Sequence, residues 1–310
     1  MASSLSPAPR LERVVVAGST TLDINLLGAV RLFKPGGVPC YAGLTYRRLG
    51  LAVGVVTRLA AADRGLLAPL AASGIDCFAK AGEATTVFIN LPRPSGRIQR
   101  APSLAEPLAP QEIVEAARGA QLLHLGPLHP RDIDPALYRQ LGARAFPGLV
   151  ALDLQGLVRR VEGGRVSGRA SSHLAEALRP ATIVKSDGEE SETACRHLGL
   201  SPEGVLERFR VAEWVVTRGA DGGMIYRACG APVPYPGAPV QRVTDPTGAG
   251  DVFFAAYLTF RLRDGRDPRE AACRAAGLAA RQVASDFLEL PDARRPFSSP
   301  LPDAAPADLT

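Results

Sequence analysis

Short apolar runs alternate along the chain with longer segments in which apolar residues recur every three or four positions. The runs are rich in Val, Leu and Ile, as buried strands are. The intervening segments have the spacing of amphipathic helices. The predicted strands are 13–17, 53–57, 121–125, 149–154, 182–185 and 214–217, and the predicted helices are 41–49, 66–72, 111–118, 135–141, 189–197 and 202–209. This alternation predicts an α/β fold, with a doubly wound, mostly parallel sheet flanked by helices.

Two segments interrupt the alternation of strands and helices. Residues 22–34 and 85–100 read as pairs of short strands, the second with a Pro-Ser-Gly turn between them. We therefore predict a small β lid, built from about 22–36 and 84–101, beside the main sheet. An exposed edge and an apolar face on this lid would favour a homodimer formed through it.

The two ends of the chain differ in composition from the body. Residues 1–10 and 291–310 are rich in Pro, Ala, Ser and Asp, so we predict flexible tails around a domain spanning 11–290. The sequence contains neither a signal-peptide pattern nor an apolar stretch of 18 residues. The expectation is a cytoplasmic protein without a membrane partner.

Composition and charge exclude several classes of protein. The chain has 310 residues, of which 46% are hydrophobic, enough for a substantial core. The net charge of +5 comes from arginines scattered among acidic residues, and only 5% of residues are aromatic, which argues against a nucleic-acid partner. The five cysteines and four histidines lack zinc-ligand spacing. P-loop, dinucleotide-binding and nucleophile-elbow motifs are also missing from the sequence.

The string V-T-D-P-T-G-A-G-D-V-F-F over 243–254 carries the strongest chemical signal. Gly248, Ala249 and Gly250 allow successive backbone amides to converge on an anion, and a helix beginning there adds its positive end. A carboxylate beside an anion site would repel phosphate, so we interpret Asp251 as a base that accepts a proton from an attacking hydroxyl. The competing interpretation is a glycine turn capped by an aspartate.

This string resembles the C-terminal signature of the ribokinase-like (PfkB) sugar and nucleoside kinases, D-[TP]-T-G-A-G-D-x-F. Three further segments resemble that family in the same order along the chain, at 14–23, 35–50 and 183–191, and a fourth follows at 215–223. The resemblance implies an ATP-dependent phosphotransferase that acts on a hydroxyl of a small sugar or cyclitol. Asp251 would then be the general base, with the amides of Gly248, Ala249 and Gly250 as the anion hole.

The resemblance also implies residues that bind the acceptor. Asp23 matches the aspartate that binds substrate hydroxyls, and Gly36 and Gly37 match a di-glycine that lets the backbone approach the substrate. Gln155 lies in a D-x-Q-G-x-x-R pattern similar to that of a subgroup with inositol-kinase-like members, and Arg97 lies in the lid.

Departures from the family pattern affect the choice of acceptor. Ribokinases proper have G-G-K-G-A-N, whereas this chain has Val38 and Tyr41 at the lysine and asparagine positions. Ribose is therefore a less suitable acceptor than the other small sugars and cyclitols on which such a kinase would act. In the lid, Asn90 and Gln99 alternate with apolar neighbours and face either the substrate or solvent.

Further matches concern the donor and its cations. Asp187 and Glu190 fall where the family has N-x-x-E, a motif that organises Mg²⁺ and water around the nucleotide phosphates; the alternative is a helix N-cap with its N3 partner. Thr217 and Gly219 would lie along the nucleotide, with a β-turn as the alternative. Some family members are stimulated by a monovalent cation, and Asp245 and Thr247 match half of that arrangement. The C-terminal half of that arrangement, around Ser285 and Asp286, departs from the family pattern, so activation by K⁺ stays an open question.

Two alternatives to a sugar or cyclitol kinase stay open from the sequence. In a nucleoside kinase of the same family, Tyr41 would stack on the base, although it would equally well pack within its helix. A regulatory homologue would bind nucleotide or sugar without turnover. The sequence leaves the acceptor, the choice among ATP, ADP and GTP, and the oligomeric state undetermined.

Overall fold

Two β-sheets of different size lie beside each other in the computed structural model, which describes residues 11–27, 30–93, 96–143, 146–240 and 242–290. The predicted tails, 1–10 and 291–310, lie outside these residues. The strands are β1 (Arg13–Ala17), β2 (Thr21–Leu27), β3 (Val30–Gly36), β4 (Ala52–Ala60), β5 (Asp76–Gly82), β6 (Thr86–Arg93), β7 (Gly96–Ser103), β8 (Leu122–Leu125), β9 (Leu149–Asp153), β10 (Arg159–Glu162), β11 (Arg165–Gly168), β12 (Ile183–Asp187), β13 (Glu213–Thr217), β14 (Gly223–Arg227) and β15 (Val233–Tyr235). The helices are α1 (Val38–Arg48), α2 (Ala68–Ala72), α3 (Pro110–Ala116), α4 (Ala136–Ala143), α5 (Leu174–Leu178), α6 (Gly188–Leu198), α7 (Pro202–Phe209), α8 (Ala249–Leu258) and α9 (Pro268–Val283).

The larger sheet has the strand order β15-β14-β13-β12-β9-β8-β1-β4-β5. All pairs from β13 to β5 are parallel, and the pairs β13–β14 and β14–β15 at one edge are antiparallel. Buried apolar clusters cover both faces, one packed against α1, α8 and α9 and the other against α3 to α7. The doubly wound, mostly parallel sheet predicted from the sequence is confirmed.

The smaller sheet has the order β10-β11-β7-β6-β2-β3. Strands β2 and β3, and strands β6 and β7, form the two antiparallel pairs expected of the lid. The hairpin of β10 and β11 was not predicted: it extends this sheet through a single bridge, Arg165 to Arg100. Its strands are short and Arg-rich, so they lack the apolar signal by which the other strands were recognised. Dimerisation through this sheet stays a prediction.

Helix boundaries differ from the predicted ones where proline and glycine define the first turn. Helix α1 begins at Val38, three residues earlier than predicted, because Gly37 is its N-cap with φ of +85° and Pro39 fits the first turn. The predicted helix 66–72 is a 3₁₀ turn over Ala61–Leu67 that continues into α2. Among the residues described above, no helix has the length and apolar character needed to span a bilayer.

Candidate active site

A small pocket lies between the two sheets, at the carboxyl ends of the parallel strands, where ligands of open α/β sheets bind. Its lining joins residues from the lid, from the loops after the strands and from the start of α8. These residues are Thr21, Asp23, Gly37, Tyr41, Phe88, Asn90, Gln99, Leu128, Gln155, Arg159, Thr247, Gly248 and Asp251. The structure thus brings six of the predicted site residues into one pocket, although they span more than two hundred positions of the sequence.

The start of α8 presents unpaired backbone amides to this pocket. Gly248 is the N-cap, with φ of +76°, and a Cβ there would overlap the Tyr41 ring, so only glycine fits. The amide of Ala249 donates to the carbonyl of Pro246 at 3.2 Å, whereas those of Gly248, Gly250 and Asp251 have no acceptor among the described residues. The turn therefore differs from the prediction in one respect: Ala249 N–H closes a β-turn and does not point to an anion.

The Asp251 carboxyl lies in the pocket, one turn into α8. Burial and the nearby negative charge of Asp153 raise its pKa to about 7, against the opposing effect of Lys185; Asp23 raises it further and Arg159 lowers it. A carboxylate with this pKa is partly protonated at neutral pH and accepts a proton far more readily than an exposed aspartate. The environment therefore suits a general base.

The pKa of Asp251 leads to an expected pH profile. Because the ionised carboxylate is the form that accepts a proton, kcat/KM should fall tenfold per unit of pH below about 7 and level off above it. The measurement is the initial rate at low acceptor concentration across a pH series with a donor in excess. A profile that is flat down to pH 5 would contradict the assignment of Asp251 as base.

Asp23 faces the pocket from β2, as the resemblance implied. Its carboxyl accepts a 2.7 Å hydrogen bond from Thr21 Oγ1. A Cβ at Gly36 would overlap this carboxyl, and one at Gly37 would overlap the carbonyl oxygen of Ser19. The lack of side chains at the di-glycine therefore lets the lid hairpin pack closely against Asp23 and Ser19. Gly37 also lines the pocket, and the predicted approach of this backbone to a substrate stays a prediction.

A buried ion pair, Lys185 with Asp153, lies directly behind the start of α8. Lys185 Nζ donates to Asp153 Oδ2 at 3.0 Å and lies 3.1 Å from the position that a Cβ on Gly250 would occupy. Burial lowers the pKa of Lys185, but Asp153, Glu190 and Asp251 outweigh it and keep the ammonium charged. Sequence reasoning missed Lys185, although a lysine within a buried strand of a chain that has only three lysines was a usable signal.

A row of side-chain amides crosses the pocket-facing side of the lid. Gln99 Nε2 donates to Asn90 Oδ1 at 2.8 Å, and Asn90 Nδ2 donates to Asn25 Oδ1 at 2.9 Å. At one end Arg159 donates from Nη1 to Gln99 Oε1 at 3.3 Å and from Nη2 to Gln155 Oε1 at 2.6 Å. Asn90 and Gln99 therefore face the substrate pocket and not solvent. The side chain of Arg97 lies outside what the structure describes.

Asp187 and Glu190 form a reciprocal capping box at the start of α6. Asp187 Oδ1 accepts from the amide of Glu190 at 2.8 Å, and Glu190 Oε2 accepts from the amide of Asp187 at 2.9 Å. The two carboxyls border a cleft of about 540 Å³, in which Glu190 Oε1 lies 3.6 Å from Arg159 Nη2. The described residues contain no cluster of three or more His, Cys, Asp or Glu that would bind a metal directly. Contact of these two carboxyls with Mg²⁺ through water stays a prediction.

The other residues predicted on the donor side lie in separate places. Thr217 ends β13 and its Oγ1 donates to the carbonyl of Ser186 at 3.4 Å. Gly219, with φ of +57°, begins the 3₁₀ turn Gly219–Asp221, and a Cβ there would meet nothing within 4 Å. Neither lines the acceptor pocket, while Thr247 does. Their roles toward a donor stay predictions.

Both carboxylate oxygens of Asp245 accept hydrogen bonds from other residues of the chain. Its Oδ2 accepts from Lys34 Nζ at 2.7 Å, and its Oδ1 accepts from the amide of Thr247 at 3.0 Å. Asn25 Nδ2 lies 3.5 Å from both Asp245 Oδ2 and Thr247 Oγ1. Both oxygens of the residue predicted to hold a monovalent cation are therefore engaged by donors of the chain itself.

Comparisons with known proteins concern the family and the fold of the chain. The family model of the pfkB family carbohydrate kinases matches residues 20–287. A search of curated proteins finds no match. Among solved structures, a pyrophosphate-dependent kinase of the ribokinase family, complexed with a pyrophosphate analogue and myo-inositol, superposes with a TM-score of 0.73 at 20% identity, covering 87% of this chain and 94% of that chain. A Burkholderia thailandensis nucleoside kinase with inosine gives 0.71 at 20% identity, covering 88% and 92%. The Thermotoga maritima ribokinase gives 0.62 at 18% identity, covering 90% and 96%.

Proposed function

The chain belongs to the pfkB family of carbohydrate kinases, and from this membership we propose that it transfers a phosphoryl group from ATP or pyrophosphate to a hydroxyl of a small sugar or cyclitol. One observation carries the proposal: Asp251, with its pKa raised to about 7, shares a pocket with Asp23 and Gly248, at the start of a helix whose first amides are unpaired among the described residues. A base, a hydroxyl-binding carboxylate and an anion site within one pocket are what phosphoryl transfer to an alcohol requires.

In the proposed reaction, Asp251 takes the proton of the acceptor hydroxyl as the hydroxyl oxygen attacks the terminal phosphorus of the donor. The bond from that phosphorus to the bridging oxygen breaks, and ADP leaves from ATP or phosphate leaves from pyrophosphate. The amides of Gly248, Gly250 and Asp251 stabilise negative charge on the transferring phosphoryl group. Lys185 adds a positive charge behind Gly250, held by Asp153. Asp23 holds hydroxyls next to the reacting one, and the lid keeps water away from the donor.

The lining of the pocket favours a small polyol as acceptor. Asp23, Asn90, Gln99, Gln155 and Arg159 supply charged and amide groups in a compact space, which suits a molecule rich in hydroxyls. Tyr41 lines the pocket next to Gly248 but is only 2% exposed, so little of its ring is available to stack on a base. This observation favours a sugar or cyclitol over a nucleoside.

The donor is ATP or pyrophosphate in this proposal. The pyrophosphate-dependent neighbour and the nucleoside kinase neighbour share this fold, and fold alone does not select between donors. Mg²⁺ would neutralise charge on the donor phosphates, with Asp187 and Glu190 contacting its water shell from the α6 cap. In this proposal the two residues orient the waters that surround the metal.

Asp23→Asn tests the acceptor site and the electrostatics of the base together. Asn keeps the shape but loses the charge-assisted hydrogen bonds to hydroxyls, so we expect the KM of the acceptor to rise about ten- to a hundredfold. The KM of the donor in the same variant serves as the internal control and should not change. Since the charge of Asp23 raises the pKa of Asp251, the pH profile should also shift to lower pH. Unchanged acceptor KM together with an unchanged profile would contradict both roles.

The proposed function itself is tested by phosphate transfer over a matrix of donors and acceptors. ATP, ADP, GTP and pyrophosphate are each combined with sugars, inositols and nucleosides, and the phosphorylated product is detected directly by mass spectrometry. We expect a product with a sugar or cyclitol. Product with nucleosides alone would favour the nucleoside kinase, and ligand-induced rises in melting temperature without any product would favour the non-catalytic homologue.

A further inference from the structure

The side chain of Lys34 crosses from the small sheet to the loop that precedes α8. Its Nζ lies 2.7 Å from Asp245 Oδ2, and the two side chains are only 21% and 14% exposed. Lys34 on β3 is paired directly with Asp23 on β2, so both side chains lie on the pocket-facing side of the lid. An ion pair between residues 211 positions apart thus joins the lid to the loop that shapes the anion site.

Asp245 lies where a negative charge needs a nearby cation. The amides of Thr244 and Asp245 both donate to the carbonyl of Val283, the last residue of α9, and a helix C-terminus carries partial negative charge. Burial raises the pKa of Asp245, but the hydrogen bonds from Lys34 and Thr247 outweigh burial and leave it lowered. The carboxylate therefore stays ionised, with the Lys34 ammonium as its counter-ion.

The Asp245 carboxylate is hydrogen-bonded to the turn that precedes α8. Asp245 Oδ1 accepts from the amide of Thr247, and Gly248 follows as the N-cap of α8. An uncompensated negative charge at this point would weaken the binding of a phosphoryl group at the amides of α8. The Lys34 ammonium beside the Asp245 carboxylate therefore has two effects. It holds the turn that leads to Gly248 in shape, and it neutralises a negative charge that would repel a phosphoryl group.

We propose that the Lys34 ammonium replaces a monovalent cation at Asp245, so that this enzyme turns over without K⁺. The ammonium lies 2.7 Å from Asp245 Oδ2, at the distance of a direct ion pair, and it comes from the chain itself. The consequence for turnover rests on the proposed function, whereas the consequence for cation binding does not.

A cavity next to Lys34 indicates what would follow from substituting this side chain. A cavity of about 220 Å³ lies beside the ion pair, bordered by Lys34, Asp245, Gln282 and Ser285. In Lys34→Met a side chain of similar length without charge would leave the Asp245 carboxylate facing this cavity. A cation from solution would then have both the space and the charge to bind.

The first measurement is the initial rate as KCl replaces choline chloride at constant ionic strength. The wild-type rate should not respond to K⁺. Lys34→Met should lose about tenfold in kcat in choline, the effect of losing one charge-assisted contact, and recover in KCl. Lys34→Arg should retain both the rate and the indifference to K⁺. A wild-type rate that rises when K⁺ replaces choline would overturn the proposal without any variant.

The second measurement is the melting temperature, which needs no turnover. KCl should raise the melting temperature of Lys34→Met relative to choline chloride, because a cation that binds the folded state stabilises it, and should leave the wild type unchanged. The matched control is Lys80→Met, which breaks the exposed Lys80–Glu112 pair and should give no response to K⁺. A melting temperature of Lys34→Met that is insensitive to K⁺ overturns the proposal. If no acceptor is phosphorylated, the proposed function fails while this comparison still decides the cation site.

Discussion

Asp251→Asn should lower kcat by about 10²–10⁴ while leaving the fold and donor binding intact, because removal of a general base typically has this effect. Asn has the size of Asp but cannot accept the hydroxyl proton. The pKa of Asp251 is raised in the folded protein from 3.8 to about 7, so above that pH the folded state carries an ionised carboxylate in an unfavourable environment. Asn removes this destabilising charge, and the melting temperature at pH 8 should be equal to or higher than that of the wild type.

The control for this variant is Asp76→Asn, which removes the same charge from an exposed position on β5. It should change neither kcat nor the pH profile. Donor affinity, measured by calorimetry, should be preserved in both variants. A kcat within a few-fold of the wild type in Asp251→Asn would refute the role of this carboxylate, and a large drop in melting temperature would mean that the loss of rate has a structural cause.

Gly248→Ala should lower kcat by about 10²–10³, the effect of misplacing an anion-stabilising donor. The added Cβ would overlap the buried ring of Tyr41, so either the ring or the start of α8 must move. The left-handed φ of +76° adds a cost of roughly 1–2 kcal/mol for any residue other than glycine. We therefore expect a loss of stability together with a loss of turnover that acceptor concentration does not restore.

Gly119→Ala separates the stability cost of the left-handed backbone from the effect of displacing Tyr41 or the start of α8. Gly119 has nearly the same backbone conformation, with φ of +74°, and a Cβ there would meet nothing within 4 Å. This variant should lose a similar amount of stability from the backbone alone and keep the wild-type kcat. If Gly248→Ala behaves like Gly119→Ala in both assays, the geometry at the start of α8 is not important for catalysis.

The polar network around the pocket explains why single substitutions at its ends should alter the geometry at the start of α8. The amide row of the lid contacts Arg159 at one end and reaches Asp245 and Thr247, through Asn25, at the other. Connected networks of this kind hold each member in one orientation, because a displaced member leaves a partner unsatisfied. The pocket lining, the lid and the loop before α8 are thereby connected through side-chain hydrogen bonds.

Features that depend on neighbouring residues were readable from the sequence. The strand and helix pattern predicted the main sheet, and two irregular segments predicted the strand pairs of the lid. The capping box of Asp187 and Glu190 was recognised as one of two interpretations, since it spans only three residues. The glycine turn at Gly248 was recognised for the same reason: backbone conformation and capping are decided within a few residues of chain.

Contacts between distant segments were decided only by the tertiary structure. The sequence does not place Tyr41 under Gly248, Lys34 on Asp245 or Lys185 behind Gly250. It also predicted three amides at the anion site, of which Ala249 is engaged in a turn. Such contacts depend on which strands are neighbours and in what register they pair, and register is set by packing over the whole sheet. The sequence therefore determined the class of chemistry, whereas the fold decided which side chains surround it.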